Sequence, residues 1–176
     1  MQTLDHDSCT ITINAPPEVV FDLVSDIHQM ARFSPELVSC RWLDGADRAA
    51  VGARFEALNQ LPGTRPTWKN RPVVTRYDRP RAFATSRTEP FAGTLVWSYQ
   101  LDSDGHTTQL NESYQVTRPI SPIGWFVIEK LGRRHDRRTD LRNGMRDTLN
   151  AIKVAAESAQ NRNEDSRPDQ PGSVLH

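Results

Sequence analysis

Apolar positions along the chain recur first at every second residue, then at helical spacing, then again at every second residue through most of the middle. The alternating, β-branched run SCTITIN (Ser8–Asn14) predicts a strand. APPEVVFDLVSD follows, with proline at its start, an acid in the first turn and apolar Val19, Val20, Leu23 and Val24, which predicts a helix. IHQMARFSP predicts a second short helix, stopped by Pro35. Strand-like segments come next, near Val38–Leu43, Ala53–Gln60, Trp68–Tyr77, Ala82–Thr88, Thr94–Leu101 and Thr107–Thr117. The segments DGAD, LPGTRP, DRPR, EPFAG and DSDG separate them with turn chemistry. After RPISPIG, helical spacing returns and lasts to Ala159, with Ile123, Val127, Leu131, Met145, Leu149, Ile152 and Ala156 on one side.

This order predicts an α+β fold: a seven-stranded curved antiparallel sheet wrapped around a long C-terminal helix, with two short helices between strands 1 and 2. Residues 1–7 read as an N-terminal extension, 8–159 as one domain and 160–176 as a disordered tail, since QNRNEDSRPDQPGSVLH has almost no apolar residues. There is no internal repeat. A curved sheet and a straight helix do not meet along their whole length, so a cavity between them is expected.

The stretch GTLVWSYQLDSDGHTTQLNESYQV sharpens that expectation. Leu95, Trp97, Tyr99 and Leu101 share one face of its first strand, and Leu110, Glu112, Tyr114 and Val116 share one face of its second. A carboxylate in a row of large apolar side chains is costly unless it finds a partner or keeps its proton. Glu112 is therefore a candidate polar anchor or general base on a cavity wall; otherwise it sits at the sheet rim or is tied to an arginine or tyrosine for structure. Trp97 and Tyr99 either fill a core or touch a ligand. Asn59 shares the phase of Phe55 and Ala57, and either faces the cavity or bonds the backbone. Trp68 either caps the pocket or serves the turn. In the long helix, Leu141 and Met145 resume the apolar side, and His135 and Arg138 lie before them. Those two either face the sheet or belong to a solvated charge run, GRRHDRRTD. Gly144 costs the helix about 1 kcal/mol relative to alanine, which predicts a close approach to the sheet or a bend over the cavity.

Composition narrows the partners. The 176 residues include 22 basic and 22 acidic side chains, so the chain carries no net charge to draw it to nucleic acid or an anionic membrane. No apolar run is long enough to span a bilayer. The opening MQTLDHDSCT lacks the basic start and apolar run of a secretory leader, and a cytoplasmic protein, monomeric or homodimeric, is the expectation. Cys9 and Cys40 have neither metal-ligand nor redox spacing and read as free, partly buried thiols. His6, His28, His106, His135 and His176 form no metal pairing, and no nucleophile elbow or phosphate loop is present, so neither metal nor cofactor is expected. DSDGH is faintly like a calcium loop, but its glycine is misplaced and a hairpin turn accounts for it.

Three segments in this order resemble the Bet v 1-like, START-type superfamily, in particular its bacterial polyketide cyclase/dehydrase and lipid transport (SRPBCC) branch. They are INAPPEVVFDLVSDIHQMARFSP, VGARFEALNQ with WKNRPVVTRYDRPRAFATS, and the Gly93–Val116 hairpin; the resemblance runs from Ser8 to Ala159. It implies a helix-grip fold around a hydrophobic pocket, but not one function, because the family holds lipid carriers, hormone receptors and cyclases. The leading expectation is a protein that binds a small hydrophobic or aromatic metabolite. Phe55, Leu95, Trp97, Tyr99, Leu110, Tyr114 and Met145 would supply apolar area; Glu112, Asn59 and His135 would orient polar ends, with Trp68 and Arg138 beside them. A polyketide cyclase/dehydratase using Glu112 or His135 is the enzymatic alternative. A regulatory partner-binding module with a collapsed cavity is the third.

Overall fold

The computed structural model describes residues 4–126 and 136–165. Strand β1 (His6–Ile13) leads into helices α1 (Pro17–Ser25) and α2 (Ile27–Phe33). Seven more strands follow: β2 (Leu37–Trp42), β3 (Phe55–Gln60), β4 (Thr67–Asn70), β5 (Val73–Asp78), β6 (Ala82–Glu89), β7 (Gly93–Ser103) and β8 (Thr108–Arg118). Helix α3 (Arg137–Asp165) closes the described chain. Every strand pairing is antiparallel. The five strands β1-β8-β7-β6-β5 form one sheet and β2-β3-β4 another.

The expected single strand Trp68–Tyr77 is broken at Arg71–Pro72 into β4 and β5. Proline lacks the N–H for a continuous ladder and restricts the residue before it. The wall nevertheless carries on across the break. The Phe55 amide donates to the Pro72 carbonyl at 3.1 Å, the Val74 amide to the Ala53 carbonyl at 2.9 Å, and Arg54 bridges Val73. The seven-stranded expectation thus becomes an eight-stranded curved wall.

Two short helices follow β1 as the pattern requires. Pro17 opens α1, and the Asp26 carboxylate caps α2 by accepting from the His28 amide at 3.0 Å. Val20, Phe21 and Val24 of α1 are fully buried against Ile13, Val74, Phe83, Leu101 and Leu110 of the sheet. On α3, Leu141, Met145, Leu149, Ile152 and Ala156 are buried at three- and four-residue spacing. Leu149, Ile152 and Ala156 join the α1 core, whereas Leu141 and Met145 meet Tyr114 in a separate cluster.

Polar ties hold α3 to β1. Arg142 donates to both oxygens of Asp7 at 2.8 and 2.7 Å, Lys153 Nζ donates to the Thr12 carbonyl at 2.7 Å, and the Asn14 amide donates to Glu157 at 2.9 Å. The stripe does not extend back to Ile123, which is 59% exposed, while Val127 and Leu131 lie outside the described residues. At its far end α3 runs past Ala159 to Asp165, farther than the polar composition suggested. No helix among the described residues is long and apolar enough to cross a membrane.

Candidate ligand cavity

Strand register sets out the inner wall in three rungs. Glu112 of β8 stands opposite Tyr99 of β7, which stands opposite Phe83 of β6. The next rung is Tyr114, Trp97 and Thr85; the third is Val116, Leu95 and Arg87. Facing these rungs across the interior are Phe55, Ala57 and Asn59 of β3, Trp68 and Asn70 of β4, and Leu141, Met145 and Thr148 of α3. A cavity of about 160 Å³ lies among them, with Val24, Ile27, Met30 and Cys40 completing much of its apolar lining. A second, larger cavity of about 430 Å³ adjoins it, lined by Leu61, Phe91, Leu95 and Ile120 among others. Trp68, Arg87, Arg137 and Leu141 line both.

Glu112 is 4% exposed and faces the first cavity. Its Oε1 accepts a hydrogen bond from the Tyr99 hydroxyl at 2.8 Å; its Oε2 is buried and has no partner among the described residues. Burial pushes the carboxyl up to about 8, against the smaller opposing effect of the Tyr99 hydrogen bond. Burial first, and the Glu112 charge second, push the Tyr99 phenol well above its ordinary range. At neutral pH both groups are therefore uncharged. The Glu112 carboxyl then has an O–H to offer a ligand, and becomes a base only as pH rises through about 8.

The other polar groups divide into satisfied and unsatisfied. Asn59 is buried and its Nδ2 donates to the Ala57 carbonyl at 3.1 Å, the backbone role open to it from the sequence. Asn70, also buried, has its Oδ1 without a partner among the described residues. The Cys40 thiol, pushed up to about 12 by burial, is a poor nucleophile. Cys9 and Cys40 are both free. Among the described residues no group of three histidine, cysteine or acidic side chains is placed to hold a metal ion.

Of the residues singled out in the sequence, Phe55, Asn59, Trp68, Trp97, Tyr99, Glu112 and Met145 line the first cavity together. Leu95 lines the second instead, because its rung lies beyond the Trp97 rung. Three candidates are corrected. Leu110 points inward but is fully buried in the α1 core, one rung past Glu112, and lines neither cavity. Tyr114 points inward too, but Leu141, Met145 and the tilted Trp97 ring, 5.5 Å away, cover it. Arg138 is exposed and lines neither cavity, although it keeps helical spacing with Leu141 and Met145; its neighbour Arg137 is the buried arginine of this turn and lines both. His135 lies outside the described residues.

Sequence reasoning missed Asn70, Thr85, Arg87 and Arg137. Period-two phase from Trp68 reaches Asn70, and from Phe83 it reaches Thr85 and Arg87, so the signal was present. Arg137 is one helical turn before Leu141, and it pairs through both terminal nitrogens with Glu36. Gly144 is also placed differently from the expectation of a close approach: a Cβ there would meet only Pro35 Cγ, at 3.7 Å. The glycine leaves room on the cavity side of the helix rather than permitting tight contact.

Comparison with known proteins agrees with this architecture. A family model described as polyketide cyclase/dehydrase and lipid transport matches residues 8–157. No curated protein sequence matches. Among solved structures, a polyketide-cyclase-like protein of Corynebacterium glutamicum is 29% identical, with 94% of this chain and 99% of that one covered and a TM-score of 0.59. A START superfamily protein of Mycobacterium smegmatis is similar at 14% identity, 89% and 99% coverage and a TM-score of 0.64. The di-domain aromatase/cyclase StfQ of the steffimycin biosynthetic pathway is similar at 17% identity, over 90% of this chain and 46% of that one, with a TM-score of 0.63. With its curved antiparallel wall, its long C-terminal helix and a family match over residues 8–157, the chain belongs to the polyketide cyclase/dehydrase and lipid transport family.

Proposed function

We propose that the chain binds a small hydrophobic or aromatic metabolite in the cavity between the curved wall and α3. The observation that carries this reading is the Glu112 Oε2 atom, buried, without a partner among the described residues, and on the wall of an otherwise mostly apolar cavity. A buried polar atom left unpaired costs free energy that a ligand's hydrogen-bonding group would recover. Phe55, Trp97 and Met145 supply the apolar contact, and each Å² of apolar surface removed from water is worth about 25 cal/mol. The test is titration with the neutral fluorescent dye Nile red. Trp97→Ala weakens dye binding, while Val154→Ala, at an exposed site on α3, leaves it unchanged. Equal binding by both variants and the parent would overturn the reading. Mass spectrometry under non-denaturing conditions would identify whatever the protein retains on purification.

The same atom favours a second reading, a polyketide cyclase/dehydratase. A carboxyl held near 8 exchanges a proton readily close to neutral pH. In that role ionised Glu112 removes a proton from an enolisable carbon; the carbon attacks a ketone folded against it, the ketone oxygen becomes an alkoxide that takes the proton back from Glu112, and loss of a second α-proton with that hydroxyl releases water. The family match and the likeness to StfQ support considering it. Turnover of a poly-β-ketone that survives Glu112→Gln would exclude Glu112 as the base.

A further inference from the structure

Arg87 lies on the inner face of β6, on the wall that the two cavities share. It is half-buried. Other arginines near the interior have acidic partners: Arg137 pairs with Glu36, Arg142 with Asp7, and Arg41 with Glu56. Among the described residues, Arg87 has no ion pair and no acceptor for any of its N–H groups. Desolvation is the strongest influence on its guanidinium and the nearby Arg137 charge the next, both acting against its proton; the attraction of Glu89 and Glu36 is weaker. A desolvated cation with five unused donors is an expensive feature to keep without an anion to meet it.

We propose that Arg87 anchors the carboxylate of an amphipathic monocarboxylic acid, whose apolar body runs past Thr85 and Trp97 toward Glu112. This deepens the cavity-binding reading and rests on it. A carboxylate matches the planar fork of a guanidinium with two parallel hydrogen bonds. One guanidinium without an ion pair suits one negative charge: the nearby Arg137 is paired with Glu36, and Glu89 beside the site disfavours a dianion such as a phosphate monoester. The rungs set the reach. Arg87 is four residues along β6 from Phe83, about 13 Å at a strand's rise, and Phe83 shares its rung with Tyr99 and Glu112. The far end of the ligand would meet a neutral acid rather than a second cation, so a carbonyl or hydroxyl fits there. The wall between the two ends is the indole of Trp97 with Phe55 and Met145 opposite.

Isothermal titration at neutral pH with decanoic acid, methyl decanoate and decyl phosphate tests the proposal on the parent chain, Arg87→Met and Arg87→Lys. The parent is expected to bind decanoate at least about ten-fold more tightly than its methyl ester, the worth of a charge-assisted hydrogen bond. Arg87→Met is expected to remove that preference, and Arg87→Lys to keep part of it. The comparison of acid with ester on the parent needs no variant, so it stands even if a substitution harms folding. Equal binding of acid and ester by the parent, or a preference that persists in folded Arg87→Met, would overturn the proposal. Tighter binding of decyl phosphate would replace the carboxylate with a phosphate-ended ligand. If the ester binds but the acid is not preferred, the Arg87 assignment falls and the cavity stands. If neither binds and Nile red does not either, both readings fall.

Discussion

The Tyr99 hydroxyl donates to one oxygen of Glu112 at 2.8 Å and leaves the other facing the cavity with no partner among the described residues. This pair makes the Glu112 carboxyl dependent on pH in a way that can be measured.

In the unfolded chain the Glu112 carboxyl loses its proton near 4.5, and in the folded chain it keeps it to about 8. Between those values the folded state holds one more proton than the unfolded state. Its contribution to stability is complete below 4.5 and is lost as pH rises toward about 8. The slope is at most about 1.4 kcal/mol per pH unit for a single proton. Urea denaturation of the parent and Glu112→Gln across this window checks it. The difference in stability between them should shift steadily against the parent with rising pH, and a flat difference would contradict the assignment.

Tyr99→Phe removes the one hydrogen bond that favours ionisation of Glu112 and leaves its burial in place. The Glu112 titration is expected to move above about 8, and stability to fall by about 1 kcal/mol. Carboxyl-carbon NMR of the glutamate side chains through the alkaline range reads the titration directly.

Gly144→Ala should separate stability from binding. Alanine favours the helix by about 1 kcal/mol, and the added methyl meets only Pro35 at 3.7 Å. The melting temperature is expected to rise. The methyl enters cavity space, so Nile red affinity is expected to drop. A rise in both would mean that the dye binds elsewhere.

Gly93→Ala should be costly. Gly93 has a φ of 72° at the start of β7, and a Cβ there would lie 2.1 Å from the Arg118 carbonyl oxygen. The backbone conformation alone costs about 1–3 kcal/mol for a residue with a side chain, before the clash is counted. Chemical denaturation should show a loss at least that large, in contrast to Gly144→Ala.

Much of the wall was legible because alternation is a strong signal. The phase of the Gly93–Val116 hairpin put Glu112, Tyr99 and Trp97 on the inner face, where the structure has them. Alternation assigns a face but not a depth along it. Leu110 and Tyr114 share Glu112's phase, yet one is closed off by α1 and the other by Leu141 and Met145. Arg87 was missed for a different reason: it keeps the phase of Phe83 and Thr85, but an arginine near a strand end reads as solvated, and its rung with Leu95 on β7 places it on the wall. The break at Pro72 was also written in the sequence, but the apolar run on either side of it masked the interruption. Ile123 was misread because its spacing matched a stripe that the described part of α3 does not extend to it.

Helix α3 is packed unevenly. Its rear, from Leu149 to Ala156, is sunk in the α1 core, and Lys153 and Glu157 bind the end of β1; its front is tied by Arg137 to Glu36 and by Arg142 to Asp7, but there Met145 and Leu141 border open space. A tenant in that space would add cohesion only to the leading turns, where there is cohesion to be gained. Amide exchange should therefore slow on ligand addition around residues 141–145 and stay nearly constant around 149–156, making the rod itself a gauge of occupancy.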